Sequence, residues 1–175
     1  MTKLKRQFGL FPLLALCVIT LGGAAAFAQR QLTTATQTGR PEVKVVLAGA
    51  VEREGATVAL DKVAAVQPGE ILQWQITSLN EGTAAAKQYK ATGHVPAGTA
   101  FVAGSATAES GSSVTYSIDG GKSFSTLPII EEKQPDGSVK QVPAPVSMYT
   151  EVRYEWSDAL AAGGKLSASY KVRVK

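Results

Sequence analysis

The chain has 175 residues, of which 45% are hydrophobic, with 18 Lys+Arg against 14 Asp+Glu and a formal net charge of +4. This size and composition suit one ordinary globular domain and exclude a large multidomain enzyme. The charged fraction of 18% comes without a Pro/Gln/Glu-rich bias, so disorder throughout the chain is not expected.

Residues 1–28 have the pattern of a secretory signal peptide that is cleaved. A basic start precedes an apolar run from residue 8 to residue 21. Small side chains at Ala26 and Ala28 suit the recognition pockets of a signal peptidase, so we expect cleavage after Ala28, with residues 24–26 as the alternative. The apolar run, of about 14 residues, is shorter than the roughly 20 that span a bilayer, so we expect no membrane span after cleavage.

Removal of this leader changes the charge and the cysteine content. The leader contains Lys3, Lys5 and Arg6 and no acidic residue, and it also holds Cys17, the single cysteine of the chain. The remaining basic residues are interspersed with acidic ones, which argues against a nucleic-acid surface. Without cysteine, the exported part has no disulfide, cysteine nucleophile or cysteine-bound zinc.

The rest of the chain divides into an arm and a domain. Residues 29–40 are polar and rich in Thr and Gln, so we expect a flexible N-terminal arm. Residues 41–175 consist of short runs with apolar side chains at alternate positions, separated by Gly, Pro, Asn and Asp. Long helical periodicity is absent. The pattern predicts a single antiparallel β-sandwich of about eight or nine strands.

In the first half of the domain, Val43, Val45 and Leu47 are expected on one face of the first strand. Leu72 and Trp74 are expected on the core face of a later strand. The candidate strand segments in this half are residues 43–47, 57–63, 72–77, 84–92 and 100–103.

The second half shows the clearest signals. The sequence Pro135-Asp136-Gly137 predicts the turn of a hairpin, since proline presets one turn dihedral and glycine accepts a positive one. Trp156 is expected in the core together with Trp74, each contributing about 2 to 3 kcal/mol by burial. The predicted strand segments in this half are residues 114–118, 129–133, 139–142, 152–156 and 166–174.

Four motifs in this order resemble a known family. They lie within residues 68–82 (PGEILQWQITSLNEG), 95–106 (VPAGTAFVAGSA), 116–121 (YSIDGG) and 172–174 (VRV). Together they resemble the bacterial conserved-repeat domain family, also called domain of unknown function eleven. The resemblance implies an immunoglobulin-like β-sandwich exported to the bacterial envelope. Gly93-His94 stands where many members carry an acidic residue.

No set of residues predicts catalysis or a bound metal. His94 is the only histidine, and no G-x-S-x-G motif supplies a nucleophilic serine beside it. Neighbouring strand residues such as Glu131 and Glu132 point to opposite faces and do not converge. The scattered acids Asp119, Asp136 and Asp158 lack the spacing of a calcium loop. We therefore expect no catalytic residue, no metal site and no cofactor, and no residue is singled out for ligand binding.

Two further motifs have structural interpretations. Residues 117–124 (SIDGGKSF) resemble the Asp-box of sialidase-type propellers, but a single copy predicts only a turn held by Asp119. A Lys–Asn isopeptide crosslink would need a buried lysine near Asn80, the single asparagine. Lys44 is expected to point outward and Asn80 to lie in a turn, so we do not expect this crosslink.

These observations favour an exported, non-enzymatic binding or structural module in the periplasm, on the cell surface or outside the cell. Its partner is expected to be an envelope or surface protein or a glycan, bound through loops or by strand addition at a sheet edge. The alternatives are an accessory carbohydrate-binding module, which needs exposed aromatic rings, and a small exported hydrolase that uses His94 or an acid pair.

Overall fold

A computed structural model describes residues 39–109 and 111–175. The predicted signal peptide, including Ala26 and Ala28, and residues 29–38 of the predicted arm lie outside the described residues. The described part contains eleven β-strands and two 3₁₀ turns. The strands are β1 Val43–Arg53, β2 Ala56–Ala59, β3 Ile71–Asn80, β4 Lys90–His94, β5 Thr99–Phe101, β6 Thr107–Ala108, β7 Ser112–Ser117, β8 Ile129–Lys133, β9 Val139–Pro143, β10 Glu151–Trp156 and β11 Lys165–Val174.

The strands form a large sheet, a small sheet and a separate hairpin, and every strand pair is antiparallel. The large sheet has the order β2-β1-β3-β11-β5, with β6 also paired to β11. The small sheet has the order β4-β10-β7, and β8 pairs with β9. The predicted antiparallel β-sandwich is confirmed. Its strand number exceeds the expected eight or nine, partly because the two-residue β6 is too short for a hydrophobic pattern.

Two predicted strand segments are placed differently in the structure. The second strand starts at Ala56, after a two-residue turn in which Glu54 and Gly55 both have positive φ. It ends at Ala59, where a 3₁₀ turn, Leu60–Lys62, follows. The weaker segment 84–92 becomes a strand only from Lys90, because Gln88 has a φ of 52° and interrupts the extended backbone.

The core lies between the inner faces of the two sheets. Alternate residues of β10, Val152, Tyr154 and Trp156, are buried against Tyr170 and Val172 of β11, as their alternation predicted. Trp74 differs from the expectation. It is only partly buried, and its buried indole N–H has no hydrogen-bond partner among residues 39–109 and 111–175.

Asn80 is a fully buried connector rather than a simple turn residue. Its Oδ1 accepts hydrogen bonds from the backbone N–H groups of Glu42 and Gly82. Its Nδ2 donates to three backbone carbonyls, including that of Leu160. The ammonium of Lys44 lies at the surface, 3.8 Å from Glu81. The exposed ammonium of Lys44 lacks the apolar surroundings that an isopeptide crosslink requires of its lysine.

The small sheet lies over only part of the large one. Gly93 of β4 lies against the ring of Tyr170 in β11, and the Tyr154 hydroxyl of β10 donates to a β11 carbonyl at 2.7 Å. The rings of Phe101 in β5 and Tyr116 in β7 are 5.3 Å apart. The three small strands thus lie over β11, β5 and part of β3. They leave the N-terminal part of β1, residues 43–49, as an overhang, whereas Val51 further along β1 is 0% exposed and belongs to the core.

Candidate functional site

Strand β1 exposes an apolar inner face that the sequence pattern assigned to the core. Val45 and Leu47 are 53% and 54% exposed. Their neighbours in β3, Ser78 and Ile76, point to the same side and are 1% and 3% exposed. The expectation that the apolar face of this strand is buried is therefore wrong for Val45 and Leu47. The alternation is real, but β1 is the fourth strand counted from β5, and the three-stranded small sheet does not reach its N-terminal half. Further along the same face, Val51 is 0% exposed.

The backbone of β1 is also open along its outer edge. The carbonyls of Arg40 and Glu42 accept hydrogen bonds from Thr83 and Glu81, so the even-numbered residues turn their backbone groups toward β3. Backbone groups of successive strand residues point to opposite edges. The N–H and C=O groups of the odd-numbered residues 43–49 consequently point outward. No strand of the described part of the chain pairs with them, since β2 begins its pairing at Ala50.

The open segment has a well-defined end. Arg53 donates from Nε to Glu70 at 2.7 Å and from its guanidinium to the Ala65 carbonyl at 2.8 Å. The bond from Arg53, together with one from the Gln67 N–H, lowers the pKa of Glu70 below its ordinary value. These contacts hold the β1–β2 hairpin against the loop before β3. Because β2 pairs with β1 from Ala50 onward, the unpaired edge is limited to residues 43–49, which we call the open edge.

The open edge lacks the features that usually protect a sheet edge from pairing. Its sequence is VKVVLAG, with Lys44 as the only charged residue, and Val46 on the outer face is 51% exposed. The β8–β9 hairpin also exposes apolar side chains, but its strands carry Glu131, Glu132, Lys133, Lys140 and Pro143. Charged side chains and proline discourage the addition of another strand. The open edge is therefore the better candidate for pairing with another chain.

The candidate catalytic residues do not converge. The imidazole of His94 is 69% exposed, and its Nδ1 lies 3.9 Å from a carboxylate oxygen of Glu151. The hydroxyl of Ser117 donates to Asp119, not to His94. Glu131 and Glu132 are both exposed on β8. Within residues 39–109 and 111–175, no group of three or more His, Asp or Glu side chains is placed to hold a metal ion.

Asp119 holds the predicted turn. Its Oδ1 accepts hydrogen bonds from the Ser117 hydroxyl and from the N–H groups of Lys122 and Ser123, and its Oδ2 accepts the Ser123 hydroxyl at 2.6 Å. The bonds from Ser123, followed by that from Ser117, hold the pKa of the Asp119 carboxyl well below its ordinary value. All of these donors are local, so the motif stabilises the chain after β7.

The aromatic side chains do not form an exposed platform. Those of the described residues are all buried or partly buried. The ring of Tyr89 lies 5.7 Å from that of Trp156, and its hydroxyl donates to Ser78. The ring of Phe124 is covered by the guanidinium of Arg153 at 3.3 Å. Sugar binding by ring stacking needs a free aromatic face, which neither ring offers.

Sequence reasoning named strand edges as a binding mode without identifying the edge. One signal could have pointed to it. Val45, Val46 and Leu47 are three consecutive apolar residues, and such a run places an apolar side chain on each face of the strand. A strand that is apolar on both faces in an otherwise alternating sheet protein indicates contacts beyond the core.

In the described residues, no helix combines the length and the hydrophobicity that crossing a membrane requires. Comparison of the chain with family models, with curated proteins and with solved structures gives no match in any of the three.

Proposed function

We propose that the chain is an exported, non-enzymatic protein-binding module, an immunoglobulin-like sandwich that takes up an extended polypeptide segment along the open edge of β1. The observation that carries this proposal is the nearly uncharged edge of residues 43–49, with which no strand of the described residues pairs. An added strand would hydrogen-bond to the outward backbone groups of Val43, Val45, Leu47 and Gly49. Its side chains would alternate between the exposed inner face and the outer face beside Val46.

Export is supported by the sequence of the first 28 residues. A basic start, an apolar run and the Ala26-Phe27-Ala28 end are the features read by the secretory machinery. The resemblance to conserved-repeat domains favours the bacterial envelope as the destination, so the proposed site of action is the periplasm, the cell surface or the medium. A disulfide-free sandwich suits any of these, because its stability depends on its core.

A binding role is favoured over hydrolysis or sugar binding by the surface chemistry. The exposed imidazole of His94 lies 3.9 Å from a Glu151 carboxylate oxygen, and the Ser117 hydroxyl donates to Asp119 instead of to His94. The aromatic rings are engaged with other side chains. By contrast, the open edge presents backbone donors and acceptors next to exposed Val and Leu side chains, which is what strand addition requires.

The proposal is tested by photo-crosslinking in expressing cells. A photoreactive amino acid replaces Val46, and the matched control carries it at Val139 of β9, which is 58% exposed and also apolar. We expect a discrete crosslinked polypeptide from position 46 and none from position 139. The crosslink should disappear when Leu47→Pro is added, because this proline removes an outward N–H and none of those directed toward β3.

A second variant separates loss of binding from loss of folding. Leu47→Lys keeps every backbone group and places a charge on the exposed inner face. Circular dichroism should show that both variants retain the β-sheet signal of the parent protein. If position 46 gives no crosslink in folded protein, or if the crosslink survives both Leu47→Pro and Leu47→Lys, strand addition at this edge is wrong.

A further inference from the structure

We infer that the strand taken up by the open edge is the open edge of a second copy of this chain, paired antiparallel with Val46 opposite Val46. This inference rests on the proposed function and names its partner. It would extend the large sheet across two copies through a two-fold axis perpendicular to the sheet. Such an interface is self-complementary, as two-fold interfaces must be.

The direction of the backbone groups selects the possible registers. The outward groups belong to odd-numbered residues, so an antiparallel partner must place its own odd-numbered residues opposite them. Registers that pair an odd with an even residue leave the outward donors without acceptors. In the allowed registers the inner faces of both copies lie on the same side, so the exposed residues Val45 and Leu47 of the two copies adjoin.

The length of the open edge selects one register among these. With Val46 opposite Val46, residues 43–49 of one copy pair with residues 49–43 of the other, and every unpaired position is used. If the partner strand is shifted toward the C-terminal end of β1, it meets Ala50, where β2 already pairs. If it is shifted toward the N-terminal end of β1, the outward backbone groups of Gly49 have no partner inside the open edge.

Side chains and charges are compatible with this register. On the inner face, Val45 lies opposite Leu47 of the other copy, which joins the two exposed apolar side chains of each copy into one patch. On the outer face, Val46 faces its own equivalent and Lys44 faces Ala48. The two Lys44 side chains are then separated by about four residues, roughly 13 Å, which exceeds the screening length of about 8 Å at physiological salt.

Disulfide trapping tests the register. All variants carry Cys17→Ser, so that the introduced thiol is the only one in the chain. Val46→Cys should form a disulfide-linked dimer on mild oxidation. The two residues at position 46 form a non-hydrogen-bonded antiparallel pair, whose Cα atoms are about 4.5 Å apart, within the range of a disulfide. Lys44→Cys and Ala48→Cys should each give little dimer alone. A mixture of those two variants should give a mixed dimer.

Sedimentation equilibrium tests the association itself. We expect the protein purified from the exported fraction of expressing cells to approach twice its monomer mass as its concentration rises. Leu47→Lys should raise the dimer dissociation constant by at least about tenfold, since the two-fold axis introduces the charge twice. The control Val139→Lys, an equivalent change on exposed β9, should dimerise like the parent protein.

The possible results have distinct consequences. Self-pairing is wrong if the protein is monomeric at all concentrations, if Leu47→Lys dimerises unchanged, or if Ala48→Cys forms its own dimer as readily as Val46→Cys. A monomer whose position 46 crosslinks in cells to a different protein overturns the self-pairing but leaves the proposed function standing. A dimer trapped through Val46→Cys, and weakened by Leu47→Lys, supports both.

Discussion

The covered and the overhanging parts of the large sheet have similar sequences and different surroundings. In β11, Ala168, Tyr170 and Val172 alternate with polar residues and are at most 3% exposed. In the first half of β1, Val45 and Leu47 also stand at alternate positions, with the apolar Val46 between them, and both are more than half exposed. The difference arises from the three-strand width of the small sheet. An apolar alternation therefore predicts a strand with one apolar face, but not what covers that face.

The largest expected effect comes from a substitution at a close contact between the two sheets. In Gly93→Ala, the new Cβ would overlap Cε1 of Tyr170 and lie 2.8 Å from its Cζ. That ring cannot move easily, because it is buried and its hydroxyl donates to the His94 carbonyl at 2.6 Å. We expect a loss of about 3 kcal/mol in the free energy of unfolding, measured by urea denaturation.

The matched change in the overhang is Gly49→Ala. Its Cβ would lie 2.6 Å from Cδ1 of Leu60 and 2.8 Å from Cζ3 of Trp74. The Leu60 side chain belongs to a 3₁₀ turn at the margin of the core and can rotate away, so we expect a loss of about 1 kcal/mol. An equal or larger loss for Gly49→Ala would contradict the distinction between the two parts of the sheet.

The next comparison uses one residue type in both parts. Val172→Ala removes methyl groups from a side chain that is 0% exposed, and we expect a loss of about 2 kcal/mol from lost burial and the cavity left behind. Val45→Ala makes the same change on the open edge and should cost less than about 0.5 kcal/mol. Urea denaturation midpoints, measured at one low protein concentration to limit association, would give the ratio of the two losses in stability. Similar losses would mean that Val45 is covered in solution.

The buried tyrosines predict alkaline sensitivity of the covered part. Burial raises the pKa of Tyr170 to about 12, above its ordinary value of about 10. Above pH 10 the unfolded chain releases this proton while the folded protein retains it. The contribution to stability is therefore complete below about pH 10 and is lost as the pH rises toward 12.

Urea denaturation across this range would measure the effect. Stability should fall less steeply with pH in Tyr170→Phe than in the parent protein. The residual slope should include Tyr154, whose pKa is also raised by burial. Identical slopes for the parent protein and Tyr170→Phe would refute this assignment.

The smallest expected effect concerns the turn after β7. Because hydrogen bonds from Ser123 and Ser117 depress the pKa of Asp119, this carboxylate stabilises the fold above its unfolded pKa, and the stabilisation is lost as the pH falls. Asp119→Asn should lower the melting temperature at pH 7. It should also make the melting temperature decrease less as the pH falls. Asp158→Asn is the control, because it removes one carboxylate outside this turn and should not reproduce these changes. A melting temperature unchanged by Asp119→Asn would show that the turn is held without the charge.

The sequence alone determined the fold class and several local features. Alternation in β10 and β11 identified the buried side chains, and Pro135-Asp136-Gly137 identified the hairpin, because strand period and turn chemistry are local properties. It also restricted the catalytic candidates to a single histidine and scattered acids. Local patterns missed the strand break at Gln88, whose positive φ is not a feature of its residue type.

Only the tertiary structure decided which part of the large sheet is left uncovered. The order of strands in the large sheet, the width of the small sheet and the point at which β2 begins to pair depend on contacts between distant residues. Those contacts make Val45 and Leu47 exposed and Val172 buried, although all three stand in equally apolar strands. The candidate binding edge is thus a product of sheet assembly, since burial depends on what packs against a strand and not on the strand itself.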